Sequence, residues 1–156
     1  MTTYSALTDV SAAATRLATV IQESAPTLRS LAPASVDAAP RGMKWTRKEI
    51  LGHLIDSAGN NHQRFVRAQY QTEMSFPRYV QDEWIGAQGY SERPWLDLVE
   101  LWSGFNKHLV HVARRIPKSA YGNVCRVSSD EPSTLADHVI DYVGHLEHHL
   151  GQILGD

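Results

Sequence analysis

The chain has 156 residues, room for one domain with a full hydrophobic core. Hydrophobic residues make up 42% and charged residues 21%, an ordinary globular composition, and 15 Lys and Arg against 17 Asp and Glu leave a formal charge of −2, which excludes the basic excess of a dedicated nucleic-acid binder. A single cysteine, Cys125, excludes an internal disulfide and a zinc site built on several thiolates, and no uncharged apolar stretch approaches the roughly 18 residues a membrane span needs.

The N-terminus, MTTYSALTDV, lacks a basic region followed by an apolar run. A cytoplasmic, reducing setting is therefore expected. Helical periodicity begins near Tyr4 and runs to Glu23, with Leu7, Val10, Leu17, Val20 and Ile21 near one face. The helix is expected to end at Ser24-Ala25-Pro26, because proline disfavours helix at the residue before it. A connector follows to Gly42, with a helical turn around Leu28 to Leu31.

The second helix has the clearest start. Thr46-Arg47-Lys48-Glu49 is a capping box, with Thr46 as N-cap and Glu49 three residues on. Ile50, Leu54, Asn61 and Phe65 share a face, and the spacing predicts helix to about Gln69. Residues 72 to 93 read as a long irregular connector whose Phe76, Tyr79, Trp84 and Tyr90 fold over something. The third helix starts near Pro94 and ends before Pro117, with Leu98, Leu101, Trp102, Phe105, Leu109 and Val112 as its apolar stripe. Residues 117 to 132 form a second loop. Within it Val124 to Ser128 alternates too weakly to read as a strand. The fourth helix starts at Ser133 or Thr134, has Asp137 near its third position, and runs to Leu154. The expectation is an all-α, single domain over residues 1–156: a four-helix bundle with long connectors between helices 2 and 3 and between helices 3 and 4.

Eight histidines are the compositional outlier. At 100° per residue, His138, His145 and His149 fall within about 40° of one another, along the edge of the fourth helix's apolar face. Imidazoles at i and i+4 sit about 5–6 Å apart at Cβ and converge on one ion in helical metal motifs. His53 leads a similar polar stripe on the second helix, with Ser57, Asn60 and Arg64 behind it. Three protein nitrogens with an open position is the stoichiometry of a catalytic zinc site. The same histidines read equally as hydrogen-bonded packing residues. Asp56, Asn60, Asn61, Arg64 and Tyr142 are the candidates to line such a site. Asp56 and Glu49 are each a general base or an orienting partner of His53, or, for Glu49, simply part of the cap. His62, His108, His111 and His148 read as exposed or packing residues. Cys125 has no neighbouring activator in sequence.

Two segments carry a family resemblance. Trp45-Thr46-Arg47-Lys48-Glu49-Ile50-Leu51-Gly52-His53-Leu54-Ile55-Asp56-Ser57 resembles the segment around the first metal histidine of the DinB-like superfamily. Tyr142-Val143-Gly144-His145-Leu146-Glu147-His148-His149 resembles its C-terminal motif, whose first and last histidines are ligands. Tyr79, Asp82 and Trp84 are similar to a loop pattern of the YfiT branch. The resemblance spans about residues 41 to 156. It implies a DinB/YfiT-type bundle holding a divalent ion, zinc or nickel foremost, on His53, His145 and His149. It also implies a cytoplasmic homodimer acting on a small molecule, with no nucleic acid and no membrane as partner. Such proteins include metal-dependent hydrolases and bacterial thiol S-transferases. The leading expectation is transfer of a low-molecular-weight thiol to an electrophile, with Asn60, Asn61 and Arg64 orienting a polar cosubstrate and Trp84 and Tyr90 covering the electrophile. The alternatives are a metal-dependent hydrolase and a non-catalytic, stress-related metal-binding module. Some relatives carry a histidine near Gln152, which this chain lacks.

Overall fold

A computed structural model describes residues 9–155. Tyr4 and Leu7, read as part of the first helix, lie outside the described residues. Four helices of 20 or 21 residues form the bundle: α1 (Val10–Ser30), α3 (Arg47–Arg67), α5 (Trp95–Arg115) and α6 (Leu135–Leu154). A four-residue helix, α2 (Pro33–Val36), lies in the first connector. α1 packs on α5 and α6, and α3 packs on the same two helices. The order around the bundle is therefore α1, α5, α3, α6. Helices joined in sequence by 31–46 and by 116–134 stand diagonally opposite, so those connectors cross the bundle ends. A single buried cluster fills the centre, with Leu17, Leu28, Ile50, Leu54, Trp102, Leu109, Leu135 and Leu146 at 2% exposure or less. No helix of the described residues is long and apolar enough to cross a membrane.

Local signals placed the helix starts well. Thr46 Oγ1 accepts from Glu49 N at 3.2 Å, and Glu49 accepts from Thr46 N at 2.8 Å. Thr134 and Asp137 close the same box at the head of α6, at 3.1 and 2.9 Å. Asp9 caps α1 through Ala12 N. Arg47 is buried and its Nε donates to the Ile153 carbonyl at 3.0 Å, so the head of α3 satisfies the tail of α6.

Four expectations need correction. α1 does not stop before Pro26 but runs through it to Ser30. Pro26 lies on the exposed face, and beyond it Leu28 is fully buried while its carbonyl accepts from Trp95 Nε1 at 2.6 Å. Packing outweighs the local preference. The stripe of α5 is broader than expected and leaves out one member: Leu98, Trp102 and Leu109 are buried and Phe105 and Val112 pack on the core, but Leu101 is 43% exposed, and Trp95, Val99, Ser103, Asn106 and Val110 are buried too. The 72–93 connector is not irregular. It contains strand β1 (Glu73–Phe76), helix α4 (Gln81–Gln88) and a 3-10 turn at Tyr90–Glu92. Gly89 ends α4 at φ 60°, a conformation that suits glycine. Finally, Val124–Val127 is a strand, β2. It pairs in parallel with β1, Glu73 opposite Val124 and Phe76 opposite Val127. It also pairs antiparallel with β3 (Ser133–Thr134). Strands of four and two residues leave too short an alternation to detect, and β1 and β2 lie about 50 residues apart.

Candidate metal centre

α3 and α6 are adjacent, and each turns its polar edge toward the other. His53 from α3 is 1% exposed; His145 and His149, one helical turn apart on α6, are half-buried. The three ring centroids lie 4.5 to 5.1 Å apart. Among the described residues, these three offer ligand atoms that all lie within 4.8 Å of one another. His53 Nε2 and His145 Nε2 are 3.2 Å apart. An ion with bonds of about 2.0–2.1 Å to nitrogen at a tetrahedral angle needs its donors about 3.3 Å apart, so the spacing fits one.

The charge state fits as well. Burial, reinforced by the neighbouring imidazoles, pushes His53 down to about 3 and His145 down to about 4. Burial also lowers His149, opposed by its hydrogen bond to Gln152. All three are neutral at neutral pH, as ligation requires. His149 Nδ1 lies 2.7 Å from Gln152 Oε1. An amide oxygen only accepts, so Nδ1 carries the proton and Nε2 is left with its lone pair. Gln152 is thus the group that orients His149, a role its sequence position alone did not reveal. Trp45 packs on His53 at 5.1 Å, and its Nε1 donates to Asp82 at 2.8 Å. His53 Nδ1 is buried with no hydrogen-bond partner.

A cavity of about 230 Å³ opens beside His145. Ser57, Asn61 and Arg64 of α3 form one wall, and His138, Asp141 and Tyr142 of α6 form another. Tyr79 and Gln81 close it from the connector. His138 Nε2 lies 3.0 Å from Ser133 Oγ and 3.4 Å from the Cys125 carbonyl. The Tyr142 hydroxyl donates to Asn106 Oδ1, deep in the core. Burial pushes that phenol far up.

The other residues singled out in the sequence sit elsewhere. Asn60 donates to the Asp56 carbonyl and borders a separate groove beside β1. The Asp56 carboxylate accepts from Tyr90 Oη at 2.6 Å and from Gln88 Nε2 at 2.7 Å, while its second oxygen is buried without a partner. Burial raises its pKa against those two bonds. Glu49 completes the cap. Tyr90 packs on α3, and Trp84 lies 4.8 Å from Tyr79 at 40% exposure. Cys125 is buried, and burial raises its thiol. His62, expected exposed, is half-buried against Phe105 and His108. Tyr79, Gln81 and Asp141 are the cavity residues that helical spacing on its own did not bring together; His138 lay on the stripe with His145.

The family model of the DinB superfamily matches residues 16–153. Among solved structures, the chain is similar to YfiT from Bacillus subtilis, described as a probable metal-dependent hydrolase with an unusual four-helix bundle topology. The two share 19% identity, and the match covers 91% of this chain and 84% of that one at a TM-score of 0.78. No curated protein matches the sequence.

Proposed function

This chain belongs to the DinB superfamily, and on that premise we propose that it is a metal-dependent enzyme acting on a small molecule, with His53, His145 and His149 holding a divalent ion, zinc or nickel foremost. The observation that supports this best is the convergence of three neutral imidazoles beside a cavity of about 230 Å³. When bound, such an ion supplies Lewis acidity that brings the pKa of a water or thiol ligand toward about 7.

Hydrolysis is the reading favoured here, and the description of YfiT points the same way. Under it, His138 is the proton acceptor. Donation from its Nε2 to the Cys125 carbonyl leaves Nδ1 unprotonated, and burial holds the ring below its ordinary 6.5. It lies on the cavity wall that also carries His145. Asn61 and Tyr79 shape the space around the substrate.

Thiol transfer is the second reading, and one observation favours it. The two carboxylates nearest His53 in sequence, Glu49 and Asp56, are both hydrogen-bonded away from the cavity, and thiolate attack asks no base of them.

Elemental analysis of untagged protein, beside His145→Ala, tests the common premise. One equivalent of a transition metal, lost in the variant, is expected. No metal after incubation with zinc, nickel and manganese would sink both readings. Assays of the loaded protein then divide them: release of acid from esters and amides for hydrolysis, consumption of a low-molecular-weight thiol with an electrophile for transfer.

A further inference from the structure

Most arginines whose contacts define a role here meet an acceptor of full strength. Arg16, Arg29, Arg78 and Arg126 each meet a carboxylate. Arg47, which is buried, donates to the carbonyls of Ile153 and Ser35. Arg64 differs. It is half-buried on the cavity wall, and among the described residues no carboxylate lies within ion-pair distance and its one hydrogen bond, from Nη1 to Asn61 Oδ1, is 3.4 Å long. Its Nε is buried with no acceptor at all.

A guanidinium cannot shed its proton to escape this position, so the uncompensated charge costs stability. Burial is the main influence on it, opposed only by Tyr79 and Cys125, with no carboxylate among its causes. We propose that Arg64 binds the carboxylate of a small acid held in the cavity beside His145, and so selects acids as the substrate class. This rests on the reading of that cavity as the substrate site of a metal-dependent enzyme.

The surroundings favour a carboxylate over a phosphate. The cavity offers one guanidinium and no lysine, with Ser57 and Tyr79 as neutral hydroxyl groups. That set matches a single negative charge. Asp141 on the opposite wall disfavours a dianion. The planar fork of arginine suits the two oxygens of a carboxylate.

The test is calorimetric titration of acetate, butyrate, benzoate and inorganic phosphate into wild type, Arg64→Gln and Arg64→Lys. Each protein is used both zinc-loaded and treated with EDTA, with the zinc content of each measured. At least one carboxylate should bind wild type in both states, and more tightly than phosphate. Arg64→Gln should weaken it at least tenfold in both, and Arg64→Lys, which keeps the charge and loses the fork, should fall between. Zinc stoichiometry should match wild type, and the unfolding midpoint of Arg64→Gln should equal or exceed it because an unpaired charge is removed, which excludes a folding defect. In ¹⁵N-labelled protein, the Arg64 Nε–H resonance should shift on addition of the acid. Binding unchanged in Arg64→Gln, no carboxylate bound by wild type, tighter binding of phosphate, or carboxylate binding that needs zinc and ignores Arg64 would each overturn the proposal. Absence of zinc binding with Arg64-dependent carboxylate binding intact would instead sink the metal reading alone.

Discussion

Trp45 Nε1 donates to the Asp82 carboxylate at 2.8 Å, while the indole ring lies 5.1 Å from the imidazole of His53. A residue just before α3 is thereby pinned by one in the first turn of α4, and the pair walls off the most buried of the three histidines. Lys44 meets the same carboxylate at 2.8 Å. The lowered pKa of Asp82 follows from these two donors, Lys44 first. Trp45 therefore acts as a positioning residue for His53.

Trp45→Phe keeps a ring against His53 and loses the bond to Asp82. Trp45→Ala loses both. Chelator competition for zinc should weaken by a few-fold in the first and by about 10- to 100-fold in the second, the range seen when groups that orient metal ligands are removed. Asp82→Ala should resemble Trp45→Phe, and the double variant should cost little more than either. Full additivity would show that the bond does not transmit to the site.

Gln152 makes a sharper case, because its contact with His149 fixes a tautomer. Gln152→Ala removes the acceptor at Nδ1. The ring is then free to put its proton on either nitrogen. Zinc affinity is expected to fall by about tenfold or more. Gln152→Glu should restore it, since a carboxylate accepts the same bond more strongly. An unchanged affinity in Gln152→Ala would mean that His149 is oriented by packing alone.

Gly52 lies on the face of α3 that receives Tyr90. A Cβ there would stand 2.3 Å from Tyr90 Cδ2. Helix propensity alone favours alanine by about 1 kcal/mol, but the ring must move, and it is held by the 2.6 Å bond from its hydroxyl to Asp56. Overpacking of this kind costs about 1–3 kcal/mol. Gly52→Ala should therefore lower the urea midpoint. In a Tyr90→Ala background the clash is gone, and the same substitution should become neutral or stabilising. A loss of equal size in both backgrounds would exclude the clash as the cause.

What was legible in the sequence and what was not divides along contact range. The boxes Thr46–Glu49 and Thr134–Asp137 are four-residue signals, and the helices start where they say. The i, i+4 pair His145 and His149 and the stripe led by His53 are helix geometry, so the cluster could be assembled once the two helices were taken to face each other. Pro26 misled because its local preference is real but is outweighed by burial of Leu28 two residues later. β1 and β2 escaped because a four-residue strand shows itself only through its partner. Asp82 stood out only in a loop resemblance and Gln152 only as the place of a missing histidine, and neither pointed to its contact. Their roles come from what they touch, Trp45 and His149, and for Asp82 that contact spans 37 residues.

The acid side of the stability profile tests the buried state of His138. Burial lowers its pKa from 6.5, partly opposed by its bond to the Cys125 carbonyl, with Arg64 lowering it further and Asp141 and Asp137 raising it. Between that lowered value and 6.5 the unfolded chain binds a proton that the folded chain does not. Stability therefore rises with pH across this window, is complete above about 6.5, and is lost as pH falls. His53, His145, His149 and His62 are lowered too and act in the same sense. The comparison is made in EDTA, so that release of metal does not contribute. Urea midpoints of wild type and His138→Gln, taken from pH 7.5 down to 5, should diverge. Wild type should lose stability more steeply below 6.5, because glutamine can still donate to the Cys125 carbonyl and has no proton to take up. Parallel curves would mean that His138 titrates as an ordinary exposed imidazole, and would remove it as the proton acceptor in the hydrolytic reading.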